Sequence, residues 1–200
     1  DDSEDKRAFM DGREATISEF PISLDIARAA RARGMHTIAG APNVMLGHSH
    51  SGNLSAREAV QAGAIDVLCS DYYPAALLDA VFTLRDQCGL DIAKAFALVT
   101  INPAKAAGIA DEVGSIAVGK RADVLLVREI SCGECEGSGG HPGARPDGRV
   151  ARTMPVVTRA FVGGRSVFRS HYPDQPLGYG RDTEQLVSLD QLTRPLAKAV

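Results

Sequence analysis

Residues 65–74, Ile65-Asp66-Val67-Leu68-Cys69-Ser70-Asp71-Tyr72-Tyr73-Pro74, decide the fold. Ile65 to Cys69 is an apolar run broken only by Asp66, the pattern of a strand covered on both faces, as strands of parallel sheets are. The run stops in polar residues, and Pro74 opens a helix with an apolar face of Leu77, Leu78, Val81 and Leu84, ending at Gly89. Upstream the same alternation recurs twice. Residues 35–41 read as a strand, a Gly/Ser/Asn-rich loop covers 42–53, and Ser55 with Glu58 forms a capping box for a helix ending at Gly63. Residues 15–20 form the earlier strand, followed by a helix opened by Pro21 and Ser23 and stopped by Gly34. Alternating strands and helices specify βαβ units and a parallel sheet.

Downstream, Asp91 caps a helix running through Phe96 and Val99; residues 100–104, Thr-Ile-Asn-Pro-Ala, break it, and a short helical turn reaches Gly108. The period then changes. Residues 114–127 read as a turn and a strand, and residues 156–161 and 165–168 form a hairpin around Gly163-Gly164. Residues 131–149, with six glycines and two prolines, read as a loop. Three βα units cannot close a barrel, which takes eight strands, and they leave two raw sheet edges. The alternatives are an incomplete barrel and a small open α/β sheet.

The composition excludes several classes. The 200 residues are 44% hydrophobic and 24% charged, with a net charge of −3, so there is no basic footprint for nucleic acid or an anionic membrane. No apolar run approaches a membrane span. The start, Asp1-Asp2-Ser3-Glu4-Asp5-Lys6, is the opposite of a signal peptide, and a cytoplasmic protein is expected. The chain opens without Met in a charged stretch, as a partial sequence would. Dinucleotide and P-loop glycine fingerprints are absent. Of the four cysteines only Cys132 and Cys135 are close; with His141 they make three of the four ligands a structural zinc needs, so they read as thiols in a flexible loop.

In parallel α/β folds the chemistry lies at the C-terminal ends of the strands. Those ends are Ser18-Glu19-Phe20-Pro21, Gly40-Ala41-Pro42-Asn43 and Ser70-Asp71-Tyr72-Tyr73. A carboxylate at such an end can bind a metal and take a proton from metal-bound water. Asp71 is placed for this, and equally for capping the following helix. Glu19 is a second carboxylate, with the alternative of satisfying backbone donors. The loop Gly47-His48-Ser49-His50-Ser51-Gly52-Asn53 is small and polar ahead of a helix, which suits phosphate binding or, alternatively, a solvated loop.

Together these motifs resemble a known family. Thr100-x-Asn102-Pro103-Ala104, Gly114-x-Ile116-x-x-Gly119-Lys120-x-Ala122-Asp123-Val124 and Val162-Gly163-Gly164-Arg165-x-Val167 are similar to the C-terminal stretch of the amidohydrolase superfamily. The strand-end motifs, with Ser49-His50-Ser51-Gly52-Asn53, resemble the PhnM-type diphosphatases of phosphonate catabolism, over about residues 1–168 without the Gly-rich insert. The resemblance implies an α/β fold: the C-terminal part of a (β/α)8 TIM-type barrel in residues 1–112, strands of a small β-domain in 113–169 around the 131–149 loop, and an unpatterned tail in 170–200. It implies hydrolysis of α-D-ribose 1-methylphosphonate 5-triphosphate with release of pyrophosphate, by one or two divalent metal ions, zinc foremost. Asp71 would be metal ligand and catalytic proton acceptor. Asn43, His50, Ser51, Asn53, Glu19 and Tyr72 would bind substrate. Leu46 stands where relatives are expected to carry a basic residue, and His48 where Gly is expected. The expected partners are a small phosphorylated substrate, the N-terminal barrel half that would precede Asp1, and identical chains in an oligomer. Two rivals stand: another amidohydrolase, such as a deaminase, deacetylase or cyclic amidase, and a catalytically incomplete fragment.

Overall fold

The computed structural model of the chain describes residues 15–48, 53–136 and 149–170, with backbone alone for 131–136 and 149–152. Three strands, β1 (Ile17–Glu19), β2 (His36–Gly40) and β3 (Val67–Cys69), form a parallel sheet in the order β1-β2-β3. Ile17 lies opposite His36, and Ile38 opposite Val67. The ladder runs one residue past two of these ends, with Phe20 N donating to Ile38 O at 3.0 Å and Asp66 N to Thr37 O at 3.2 Å. Beyond Glu19 the backbone turns to φ 51° at Phe20 and leaves the sheet.

Helix α1 (Leu24–Ala32) connects β1 to β2; Ser23 Oγ accepts the Ile26 N–H at 3.3 Å, and Ala27 and Ala30 are buried. The expected 42–53 loop is corrected in its first half, because Ala41–Leu46 is a helix, α2. Pro42 sits in its first turn, where a missing N–H leaves no hydrogen bond unmade. Gly47, at φ 79°, ends it. Helix α3 (Ala56–Gln61) begins after Ser55, but the expected capping box does not form: Ser55 makes no side-chain cap bond, and Asn43 Oδ1 accepts the Ala56 N–H at 3.0 Å instead. Helix α4 (Ala76–Cys88) ends at Gly89 in the left-handed region. Helix α5 (Ile92–Ala97) is capped by Asp91, which accepts from Ala93 N and Lys94 N. Residues 100–104 break that helix as expected, yet most of them also start another, α6 (Ile101–Ala106). Pro103 falls in its first turn, among donors that have no intrahelical acceptor.

The core between sheet and helices is rich in alanine. Ala27, Ala39, Ala59, Ala76 and Ala80 pack with Val44, Leu68, Val81 and Leu84, so helices lie close on the strands. The outer edge of β3 is not raw: Leu68 N donates to Leu98 O at 2.9 Å, and Asn102 Nδ2 to Asp66 O at 2.8 Å. The N-terminal end of the sheet is locked by Asp66. Its Oδ2 takes Arg31 Nη1 at 2.7 Å and lies 2.7 Å from His36 Nδ1; its Oδ1 takes the buried Thr37 N–H at 2.7 Å.

The second sheet is antiparallel, with β4 (Val124–Glu136), β5 (Arg149–Val162) and β6 (Arg165–Arg169) in that order. Gly163 and Gly164, at φ 54° and 79°, make the tight turn that the Gly-Gly pair specifies. The 131–149 loop is corrected here. Strand β4 continues to Glu136, pairing Ser131 with Thr153 and Cys135 with Val150, and a bulge between Ser131 and Glu134 takes up Cys132-Gly133. Glycine is at home in a bulge, and cross-strand pairing overrides a loop-like composition. Arg85 of α4 reaches this sheet, its Nη1 and Nη2 each 2.7 Å from an oxygen of Glu129. No helix among the described residues is long and apolar enough to cross a membrane.

Candidate active site at the strand ends

The C-terminal ends of the parallel strands open into a cleft of about 210 Å³. Of the residues singled out from sequence, Asp71, Asn43, Asn53 and Tyr72 line it together, beside Phe20, Pro21, Gly40 and Leu46. Glu19 ends β1 exposed and is not among the lining residues, so it is not a buried acceptor for backbone donors. His50 and Ser51 lie outside the described residues, as do Asp1, Asp2 and His141.

Asp71 is decided in part. Helix α4 starts at Ala76 with Ala75 as its N-cap and no side-chain cap bond, so the capping reading fails. The chain instead turns, with Tyr73 N donating to Ser70 O at 3.1 Å. Asp71 sits at φ 51°, a left-handed backbone that Asp tolerates better than most residues. Phe20, also at φ 51°, lines the same cleft from the end of β1, and a bulky residue is poorly suited to that conformation. These are the only positive-φ residues other than glycine among the described residues, and both border the cleft. The Asp71 carboxylate comes close to Gly40: a side chain there would place its Cβ 3.0 Å from Oδ2.

Cys69, beneath Asp71, is held above the ordinary thiol pKa chiefly by burial; the charges of Asp71 and Glu19 act in the same direction, and a hydrogen bond with the Asp71 backbone opposes them. It is a neutral thiol near pH 7.

Asn43 uses both ends of its amide on the chain itself, donating to Leu54 O at 3.0 Å and accepting from Ala56 N. This holds the exit of the 47–53 segment. Arg57 holds the entrance: its Nε donates to Val44 O at 2.6 Å and its Nη2 to Met45 O at 3.2 Å, at the negative end of α2. Sequence reasoning missed Arg57, whose acceptors belong to a helix that it had not found. Leu46 puts an apolar wall where the resemblance had a basic residue. Asp71 is the one charged side chain among the described lining residues.

Among the described residues no cluster of three or more His, Cys, Asp or Glu could hold a metal ion. Asp71 offers one carboxylate toward such an ion, and the described residues do not make a metal centre on their own.

A parallel sheet flanked by helices, a polar mouth at its strand ends and an appended antiparallel sheet are the architecture of part of a (β/α) barrel with a small β-domain. The chain belongs to the amidohydrolase family, whose sequence model matches residues 2–167. Members of this family generally bind divalent metal ions. Among curated proteins it is similar to the alpha-D-ribose 1-methylphosphonate 5-triphosphate diphosphatase of Escherichia coli K12, at 47% identity over 114 residues, 56% of this chain and 30% of that protein. It is also similar to the dihydroorotase of Methanopyrus kandleri, at 38% over 87 residues, 35% of this chain and 20% of that protein. These matches span less than a third of either relative. Among solved structures, the D-hydantoinase from a Thermus species aligns at TM-score 0.58 and 18% identity, covering 81% of this chain and 46% of that one. An amidohydrolase from Thermotoga maritima aligns at 0.52 and 20%, covering 77% and 37%. Both show the fold.

Proposed function

We propose that this chain forms part of a metal-dependent, cytoplasmic hydrolase that cleaves the triphosphate of α-D-ribose 1-methylphosphonate 5-triphosphate and releases pyrophosphate. The observation that carries the hydrolytic reading is the Asp71 carboxylate, held at the strand-end cleft by a left-handed backbone and excluded from helix capping. The substrate follows the Escherichia coli relative, at 47% identity. In the step, a water oxygen bonds to a phosphorus of the triphosphate, the bond to the departing pyrophosphate breaks, and Asp71 accepts the proton of the water. The proton has a place to go without a mobile base, which lowers the barrier by general base catalysis. Positive charge for the phosphates comes from outside the described lining, which holds no Arg or Lys. His50 and Ser51 are proposed as substrate donors within the 47–53 segment, together with Asn53 and Tyr72 of the cleft lining.

Asp71→Asn in the full-length protein tests this. Asn accepts the same left-handed backbone, so the fold persists while the proton acceptor is lost. Turnover of the ribose triphosphate should fall on the order of 10²- to 10⁴-fold; unchanged turnover would sink the assignment. A cyclic amidase is the second reading, favoured by the similarity to a dihydroorotase. It shares Asp71, and hydrolysis of dihydroorotate or a hydantoin in preference to the triphosphate would establish it. The 200 residues alone are expected to release no pyrophosphate in the presence of Zn²⁺ or Mn²⁺, and measurable metal-dependent release would refute that.

A further inference from the structure

Gly40 ends β2 and is buried, yet its backbone has no need of glycine: φ −79° and ψ 133° are ordinary extended values that any L-residue adopts. Its surroundings are equally informative. The three nearest atoms to a Cβ built on Gly40 all belong to one side chain: Asp71 Oδ2 at 3.0 Å, Asp71 Cβ at 3.4 Å and the carboxyl carbon at 3.6 Å. Gly34, Gly63 and Gly89, by contrast, have positive φ and open space around them, so those glycines answer a backbone demand. At position 40 the demand is for room, and the carboxylate of Asp71 takes that room.

Asp71 is brought there by its own unusual backbone, at φ 51°. The two features act together. The left-handed turn after β3 swings the carboxylate sideways, and the bare end of β2 lets it settle over the neighbouring strand. We propose that Gly40 is a positioning residue: by lacking a side chain it sets where the Asp71 carboxylate sits above the strand ends. This rests on the hydrolytic reading of Asp71 for its effect on turnover, and on the contact alone for its effect on structure. A methyl group at position 40 must push Oδ2 outward by a few tenths of an ångström, since 3.0 Å is tighter than nearly all real Cβ contacts. Misplacement of a reacting group on the scale of an ångström costs on the order of a hundredfold in rate.

The test is a double-mutant cycle in the full-length protein: wild type, Gly40→Ala, Asp71→Ala and the double variant, each followed by thermal melting and by kcat and KM for the ribose triphosphate. Gly40→Ala should lower kcat by about threefold to tenfold with KM within about twofold. Any fall in its melting temperature should come only through the crowded carboxylate. In the Asp71→Ala background the same Gly40→Ala change should therefore alter neither the melting temperature nor the residual turnover, because a Cβ of residue 71 at 3.4 Å is an ordinary contact. Should Gly40→Ala alone fail to fold, recovery of folding in the double variant reads out the same conflict. Gly40→Ala with wild-type kcat and melting overturns the proposal. So does a cost that persists undiminished when Asp71 is Ala. Full turnover by Asp71→Ala would refute the hydrolytic reading and the kinetic role of Gly40 together, whereas the melting cycle reports the contact separately.

Discussion

Replacing Asp66 by alanine tests whether the N-terminal end of the parallel sheet is a matter of stability and the C-terminal end one of chemistry. The Asp66 carboxylate takes the Thr37 N–H at 2.7 Å, and Thr37 is fully buried, so alanine leaves that donor without its acceptor. A buried unsatisfied backbone donor costs about 1–3 kcal/mol. The ion pair with Arg31 adds less, because that side chain is 36% exposed and water screens it. The sum is about 3 kcal/mol, which with a urea slope of about 2 kcal/mol per molar moves the midpoint down by roughly 1.5 M. Asp66→Asn keeps an oxygen for Thr37 N and loses the charge toward Arg31, so it should cost about 1 kcal/mol. The assay is urea unfolding of both variants beside the parent in the full-length protein, with turnover measured well below the transition. Folded Asp66→Asn should retain parental turnover. A midpoint shift for Asp66→Ala below roughly 0.3 M, or a folded Asp66→Asn with Asp71-like loss of turnover, would refute the division of the sheet into a structural and a reactive end.

Two further outcomes follow from contacts that the loop and the second sheet make. Asn43→Ala removes the acceptor of the Ala56 N–H, buried at the start of α3, and should cost about 1–3 kcal/mol while raising KM more than it lowers kcat; unchanged unfolding and KM would show that the loop is held otherwise. Glu129 is held below the ordinary glutamate pKa chiefly by its hydrogen bonds from Arg85, so the stability it contributes is complete above the ordinary range and is lost as pH falls through the lower folded value. Glu129→Gln should therefore cost under about 1 kcal/mol near pH 7, the pair being partly exposed, and the two proteins should converge in acid. A difference that persists below the folded pKa of Glu129 would contradict this.

Much of the fold was legible because strands buried on both faces carry their own signal. The run from Ile65 to Cys69, the Gly34 and Gly89 stops and the Gly163-Gly164 turn were all readable, and the three parallel strands fell inside the expected ranges, whereas β4 and β5 run well beyond theirs. The failures have local causes. Helix α2 hid in a stretch whose Pro42 and Asn43 are loop-like by composition, although Pro costs nothing in a first turn. Ser55 and Glu58 have the spacing of a capping box, but Asn43, twelve residues before Ser55, supplies the bond. Residues 131–136 were lost to the glycine-rich run that follows them, because pairing with β5 is a long-range fact. Asn102 was legible as part of a motif, not as the side chain that covers the edge of β3. At the site, the strand ends pointed to Asp71, Asn43 and Tyr72 and the polar stretch before α3 to Asn53, and the cleft brings the four together. The hold of Asn43 and Arg57 on the flanking backbone was invisible, since it depends on elements that only the folded chain brings side by side.

That hold has a consequence for how such a protein could diversify. The backbone entering the 47–53 segment is clasped by Arg57 through Val44 and Met45, and the backbone leaving it by Asn43 through Leu54 and Ala56. Both clasps lie outside the segment, so its residues could be exchanged as a cassette, for another length or another chemistry, while the scaffold beneath keeps its shape. New substrate preferences on this frame could then arise, or be selected in a library, by rewriting a few codons between two fixed anchors.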